Sequence, residues 1–132
     1  MSDQPSLELV RQTYEAFGRG DLASMLDAMA DDIEWDSRYP SIVPFSGVWR
    51  GHDGVKRLIS TLGETIQILA FEIQEFVAAN DKVVVLGFEE ATAKSTGRTY
   101  RNEWVHVWTV QGGKLAKLRN YNDTAAVAAA FA

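Results

Sequence analysis

The feature that most constrains the fold is a change of hydrophobic period after Thr65. From there to Asn122, apolar residues alternate with polar ones, which is the pattern of β-strands with one face in a core. The alternation predicts four strands, over residues 66–79, 82–94, 99–110 and 115–122, joined by the short turns "AND", "STG" and "QGG". Because connections this short join antiparallel neighbours, we expect a mainly antiparallel sheet.

The first half of the chain has helical spacing instead. Apolar residues recur every three or four positions in a first segment and again after Asp21 and Asp53, two aspartates that are placed as N-caps. Short strands are expected in "ADDIEWDSRYP" and at 48–50, and a short final helix is expected after a third cap, Asp123. Three N-terminal helices packed in a strongly curved sheet predict the α+β class.

Composition excludes several classes of function. The 132 residues are expected to form one domain, 1–132, and no apolar run approaches the ~20 residues of a membrane span. A net charge of −5 without a basic run argues against a nucleic-acid partner. The absence of cysteine excludes disulfides and thiolate chemistry, and two distant histidines give no metal-site spacing. We therefore expect a cytoplasmic protein with no metal, no cofactor and no membrane partner.

The segment "EWVHVWTV" places a histidine between two tryptophans on one strand face. Trp104, His106 and Trp108 alternate with valines that face the other way. An imidazole with its usual pKa near ~6.5 can give or take a proton at neutral pH, and aromatic neighbours are typical of a pocket wall. The alternative is a buried neutral histidine that is hydrogen-bonded to a neighbouring element. Both interpretations stay open from the sequence.

The last strand carries a second set of candidates, Leu118, Asn120 and Asn122, on one face. An amide can donate and accept, which suits the orientation of a carbonyl, a hydroxyl or a water molecule. The alternative is a strand that becomes polar as it approaches solvent. Asp123 is explained by its capping position and is not assigned a catalytic role.

The second long strand is interpreted with Phe88 and Glu90 on its inner face. A buried carboxylate needs a partner there, and Asn102 or His106 on the next strand is a candidate. Glu89 is correspondingly assigned to the outer, solvated face.

Three further candidates follow the second helix, and one lies on the first. Trp35 is expected in the core or at a pocket rim, and Asp36 is a candidate base. Asp36 and Arg38 share a strand face, so the alternative is a surface ion pair of little energetic weight. Tyr14 belongs to the apolar stripe of the first helix, with a hydroxyl that can reach a pocket.

These segments together resemble a known family. The "GD" that opens the second helix, "ADDIEW", "GVWRGHDGVKRLI" and "LRNYND" are similar to the SnoaL-like and ketosteroid-isomerase-like group of the nuclear-transport-factor-2-like superfamily, over about residues 6–125. The resemblance implies a cone-shaped α+β barrel, a bent sheet around a long helix with a pocket at its wide end, and a homodimer through the outer sheet face. The superfamily includes isomerases, polyketide cyclases, dehydratases, epoxide hydrolases and non-catalytic domains.

The machinery of ketosteroid isomerase does not transfer to this chain. The resemblance places its tyrosine at Thr13, its base at Ser37 and its protonated acid near His106, and none of the three has the required side chain. Standard steroid isomerisation is therefore not expected. The expected function is binding of a small apolar or polyketide-like molecule, with proton transfer next to a carbonyl. The alternative is a non-catalytic binding or dimerisation domain.

Overall fold

The chain folds as an α+β structure in which one curved sheet surrounds the helices. The computed structural model describes residues 4–132. Its elements in chain order are α1 (Gln4–Arg19), α2 (Leu22–Ala28), β1 (Met29–Ser37), β2 (Gly47–Arg50), α3 (Gly51–Thr65), β3 (Ile66–Ala79), β4 (Lys82–Ala93), β5 (Thr99–Gln111), β6 (Lys114–Tyr121) and α4 (Thr124–Phe131). The four long strands match the alternating pattern to within one residue at each end.

The sheet is mixed and open rather than a closed barrel. Its strand order is β2-β1-β6-β5-β4-β3, so β2 and β3 are unclosed edges. All neighbours are antiparallel except β1 and β6, which run parallel. No hairpin turn joins those two strands, so the expectation that short connections join antiparallel neighbours does not apply to them. A second correction concerns α3, which follows β1 and β2, so only two helices precede the first strand.

Of the three predicted N-cap residues, two cap their helices and one does not. Asp21 accepts a hydrogen bond from Ser24 N at 3.1 Å, and Asp123 accepts one from Ala126 N at 3.1 Å, which confirms both as caps. The prediction for Asp53 is wrong, because α3 begins at Gly51 and Arg50 holds the cap position without a side-chain bond. Asp53 lies in the first turn, where its charge complements the helix dipole.

The concave face of the sheet forms one wall of the core. Val83, Val85 and Leu118 are fully buried there, and Trp104 and Trp108 are almost so. The pairing of β3 with β4 shifts register twice, and such bulges bend a sheet. No helix within the described part of the chain is long and apolar enough to cross a membrane.

Gly87 on β4 makes room for an indole on the concave face. It lies opposite Trp104 in the β4–β5 pair. A Cβ at position 87 would be 2.5 Å from Cζ2 of Trp104 and would also collide with the backbone oxygen of Glu72. The absence of a side chain at this position therefore sets where the Trp104 ring lies.

We expect Gly87→Ala to destabilise the fold by about 1–3 kcal/mol, because the indole or the β3 backbone must move. Urea unfolding measures this change. The matched control is Gly63→Ala in α3, where an added Cβ meets nothing within 4 Å and helix propensity predicts a gain of about 0.5–1 kcal/mol. Equal unfolding midpoints for Gly87→Ala and wild type would contradict the packing argument.

Candidate functional site

A cavity of about 80 Å³ lies between the helices and the concave face of the sheet. Its apolar wall is formed mainly by side chains of the helices and of the β3 edge, including Phe17, Met25, Leu58, Leu62 and Phe71. Its polar groups lie on the sheet side. Since an apolar cavity of about 150 Å³ accommodates benzene, this one holds a few water molecules or a smaller ligand unless its wall moves.

Three aromatic side chains are joined by hydrogen bonds at one end of the cavity. The hydroxyl of Tyr14 lies 2.6 Å from Nδ1 of His106, and Nε1 of Trp108 donates to the same hydroxyl at 2.9 Å. The Tyr14 ring is also stacked on His106, with ring centroids 5.9 Å apart. Burial raises the pKa of Tyr14 above its usual range, so the hydroxyl keeps its proton.

These contacts determine the tautomer of His106. Trp108 can only donate, so the Tyr14 oxygen accepts from it and directs its own proton to Nδ1 of His106. Burial lowers the pKa of His106 to about 3, so the ring is neutral near pH 7. The N–H of the neutral ring is therefore on Nε2, which has no hydrogen-bonding partner among residues 4–132. His106 presents a donor, with its basic nitrogen already occupied.

Two asparagines, Asn120 on β6 and Asn122 just after it, continue the polar wall. Asn120 is paired with His106 in the sheet and donates to Ser37 Oγ at 3.2 Å, which leaves its buried Oδ1 without a partner. Asn122 accepts from Asn102 at 2.9 Å, which leaves its buried Nδ2 without a partner. The indole nitrogens of Trp35 and Trp104 are also buried and unpaired.

The other end of the cavity holds a carboxylate. Glu89 on β4 lines the cavity and accepts from Asn102 Nδ2 at 3.2 Å. Asn102 is fully buried and is held in turn by Asp123 N, which donates to its Oδ1 at 2.8 Å. Burial raises the pKa of Glu89, and the Asn102 bond opposes that shift. Burial and the Glu89 charge both raise the pKa of nearby Tyr39 above its usual range.

Most of the residues proposed from the sequence lie on the cavity wall. The structure brings together eight of them: Tyr14, Trp35, Trp104, His106, Trp108, Leu118, Asn120 and Asn122.

The expectation for Asp36 and Arg38 does not hold, because neither lines the cavity. Alternation along β1 turns Trp35 and Ser37 inward and Asp36 to the opposite face. There Asp36 is 2.9 Å from Arg38, whose side chain is 70% exposed. The ion pair is present, although Asp36 is 6% exposed and is therefore not a surface residue, and its place outside the cavity lining does not support a role as base there.

The inner-face assignment of Phe88 and Glu90 is also wrong. Both lie on the outer face, where the Arg101 guanidinium is 3.7 Å from the Phe88 ring centroid and 3.2 Å from the Glu90 carboxylate. The β4–β5 register pairs Glu89 with Asn102, whose side chain faces inward. Glu89 is therefore the inward carboxylate, and Asn102 is its partner rather than that of Glu90.

Sequence reasoning missed Glu89 and Tyr39 as cavity groups. The signal for Tyr39 was present, since it lies two residues after Ser37. Within the described part of the chain, no three His, Asp or Glu side chains gather closely enough to hold a metal ion.

We expect Tyr14→Phe to destabilise the protein by about 1–3 kcal/mol, because the change leaves Nδ1 of His106 and Nε1 of Trp108 without partners. Chemical denaturation measures the loss. Tyr121→Phe is the matched control, since Tyr121 is 50% exposed and its change should stay within about 0.5 kcal/mol. Equal losses in the two variants would contradict the buried network.

His106 should also make stability depend on pH. Between its folded pKa of about 3 and the unfolded value near ~6.5, the unfolded chain binds one more proton. The free energy of unfolding therefore falls as pH decreases through this window, and His106 contributes no slope above about 6.5. We expect the ring signals of His106 in an NMR titration to remain those of a neutral imidazole at about pH 5. A titration midpoint of His106 near the ordinary histidine pKa of ~6.5 would contradict this expectation.

Comparison with known proteins places this geometry in a family. The family model described as the SnoaL-like domain matches residues 10–118. The Mycobacterium tuberculosis protein Rv0034 is 32% identical over 130 residues, which are 96% of this chain and 95% of that protein. An NTF2-like protein from Burkholderia xenovorans LB400 is 36% identical with a TM-score of 0.89, covering 100% of this chain and 99% of the other.

TerC, crystallised with polyporic acid, is 27% identical with a TM-score of 0.86, covering 96% of this chain and 98% of that one. The family match covers most of the chain and agrees with the order of helices and strands. The chain therefore belongs to the SnoaL-like family of NTF2-like proteins.

Proposed function

We propose that the chain binds a small, mainly apolar molecule with a carbonyl or hydroxyl group in its cavity. The observation that carries the proposal is the set of unpaired buried atoms on residues of the wall: Nε1 of Trp35, Nε1 of Trp104, Oδ1 of Asn120 and Nδ2 of Asn122. Buried polar atoms are nearly always paired, and each unpaired one costs about 1–3 kcal/mol. A ligand whose binding moves the wall enough to expose these atoms would supply the missing partners.

His106 has a defined task in this proposal. With Nδ1 occupied by Tyr14 and a pKa near 3, the ring is a poor base at neutral pH. Its Nε2–H is suited to donate to a ligand oxygen, and a neutral donor in an apolar site can also stabilise developing negative charge on that oxygen. His106 therefore holds an oxygen rather than moving a proton.

The size of the cavity limits the ligand, and one part of the wall can relieve that limit. Phe17 and Phe71, with ring centroids 5.5 Å apart, line both the cavity and a larger hollow between α1 and β3. Rotation of these rings would join the two spaces and admit a ring-containing molecule. The crystal of TerC with polyporic acid supports an organic ligand of this kind.

The reaction that fits the site is proton transfer next to a carbonyl, because the wall offers a donor that can hold the carbonyl oxygen. The second candidate function is binding without catalysis. It is favoured by the occupied base position of His106, which makes that residue an anchor for a ligand rather than a catalyst of proton transfer.

The binding test uses Asn120→Leu, an apolar replacement of similar shape. The change removes the unpaired buried acceptor but also the bond to Ser37 Oγ, so we expect stability to change by less than about 1 kcal/mol. We expect the affinity for small cyclic ketones and for polyporic acid to fall about tenfold or more, through loss of one buried hydrogen bond. Ligand-observed NMR and calorimetry measure affinity, and thermal unfolding measures stability.

Asn80→Gly is the control for this variant, because Asn80 lies in the β3–β4 turn with a φ of 57° that glycine adopts readily. It should leave affinity unchanged. Binding by the Asn120→Leu protein at wild-type affinity would contradict the proposal, as would the failure of every compound in such a panel to bind the wild type.

A further inference from the structure

Glu89 is a partly buried carboxylate that the fold places on the cavity wall without a cation. It lines the cavity on β4, and its one protein hydrogen bond among residues 4–132 comes from Asn102 at 3.2 Å. The titratable groups that face it are Tyr39, from the segment after β1, and Tyr100, from β5, and burial together with the Glu89 charge raises the pKa of both. Neither tyrosine can neutralise a carboxylate. A carboxylate that is largely removed from water and has no cation nearby is destabilising, so Glu89 is better explained by a role in the cavity than by stability.

The neighbours of Glu89 hold it in one orientation. Asn102 is 0% exposed, and its amide makes three bonds, to Glu89, to Asn122 and from the backbone of Asp123. The side-chain nitrogen of Asn102 reaches one carboxylate oxygen, Oε1, and leaves the other without a protein partner. A carboxylate that is held by one oxygen and free at the other is suited to take a proton from a ligand.

The second half of the arrangement is the distance to His106. Glu89 is paired with Asn102 across the β4–β5 ladder, and His106 lies four residues further along β5 on the same face. At about 3.3 Å per residue, the two backbones are about 13 Å apart along the strand. Both side chains project into the concave face, so they approach the cavity from its two ends. A ligand between them can meet a donor at one end and a carboxylate at the other.

We propose that Glu89 is the catalytic base of this cavity and that it transfers a proton at the carbon next to a ligand carbonyl whose oxygen is held by Nε2–H of His106. The inference rests on the proposed function, because it needs a carbonyl compound in the cavity. The substrate class is a small ketone or related carbonyl compound with an acidic C–H bond and an otherwise apolar body.

The proposed step is balanced without a cofactor. The Glu89 carboxylate takes the proton, the electron pair of the broken C–H bond forms the C=C bond of an enolate, and the carbonyl π pair moves to the oxygen held by His106. Protonated Glu89 then returns the proton to a carbon of the enolate system. The carbonyl is restored and the carboxylate is regenerated. Return to a different carbon gives an isomerised product.

Two effects of the site assist this step. Burial raises the pKa of Glu89, so its carboxylate is a stronger base than an exposed one and is closer in strength to a carbon acid. The neutral His106 meets the enolate oxygen with an N–H and does not release that proton, because an imidazole loses its remaining proton only at high pH. Acid and base functions are thus separated at the two ends.

The test follows exchange of the protons next to the carbonyl of cyclohexanone in D₂O, by ¹H NMR, with wild type and with Glu89→Gln. Carbon deprotonation alone gives exchange, so the natural substrate is not needed. We expect the wild-type protein to accelerate exchange above buffer and Glu89→Gln to lower the protein-dependent rate about 100-fold or more. The glutamine oxygen can still accept from Asn102, which preserves the fold. Glu90→Gln is the matched control on the outer face and should exchange at the wild-type rate.

The pH profile separates a catalytic role from a structural one. The exchange rate should rise with pH through the raised pKa of Glu89, at higher pH than for an ordinary glutamate, and this step should be absent in Glu89→Gln. The Glu89→Gln protein should also gain stability over wild type as pH rises through that pKa, because the buried charge is removed.

Binding of cyclohexanone to each protein is measured in parallel by saturation-transfer NMR. If the wild type binds cyclohexanone and the two proteins exchange it at the same rate, or neither accelerates exchange, the role of Glu89 is overturned while the proposed binding function stands. If the wild type does not bind cyclohexanone, the proposed cavity function fails for this substrate class, and the role of Glu89 fails with it.

Discussion

The Tyr14 hydroxyl is the point at which the first helix is tied to the sheet, and the cavity depends on that contact. One oxygen accepts from Trp108 and donates to His106, so residues from α1 and β5 share a single hydrogen-bonded network. The network holds the helix above the concave face and leaves space between them. It also sets the protonation of His106, because its basic nitrogen is engaged before any ligand arrives. The helix position and the chemistry of the site therefore have one physical cause.

The polar wall departs from what stability alone would select. Glu89, Asn120 and Asn122 are placed where apolar side chains would continue the core, and two buried atoms, Oδ1 of Asn120 and Nδ2 of Asn122, have no partner. A bound ligand that pairs these atoms stabilises the folded state in proportion to its concentration over its dissociation constant. The same atoms therefore decrease the stability of the empty protein and supply the affinity for a ligand. This balance is typical of a binding site and unusual for a core.

The sequence carried enough information for the strands and for the eight residues of the wall, because alternation with well-placed aromatic residues sets their face. The prediction from sequence failed where the alternation does not distinguish the two faces of a strand. Residues 83–86 of β4 are all apolar, so either face could be the inner one, and Phe88 suggested the wrong choice. Only the pairing of β4 with β5, which sets Gly87 opposite Trp104 and Glu89 opposite Asn102, decides the question. Pairing between strands is a tertiary property, and a one-residue error exchanges the two faces. The parallel β1–β6 pair also depends on tertiary contacts.

The location of Glu89 gives a physical account of how this chain can keep a family cavity without the family's acidic groups. The positions that resemble those of ketosteroid isomerase hold Thr13, Ser37 and His106, none of which is a carboxylate. Proton transfer needs a base and an oxygen-stabilising donor on opposite sides of a carbonyl compound, and it does not require that they come from particular strands.

Here β4 supplies the carboxylate and β5 supplies the donor, and a buried asparagine on β5 orients the carboxylate. Because every inward position of a concave sheet points into the same space, a carboxylate can change strands and still reach the same ligand. In the proposed mechanism the cavity needs only a geometric relation between a base and a donor, and a curved sheet offers more than one pair of positions that satisfies it.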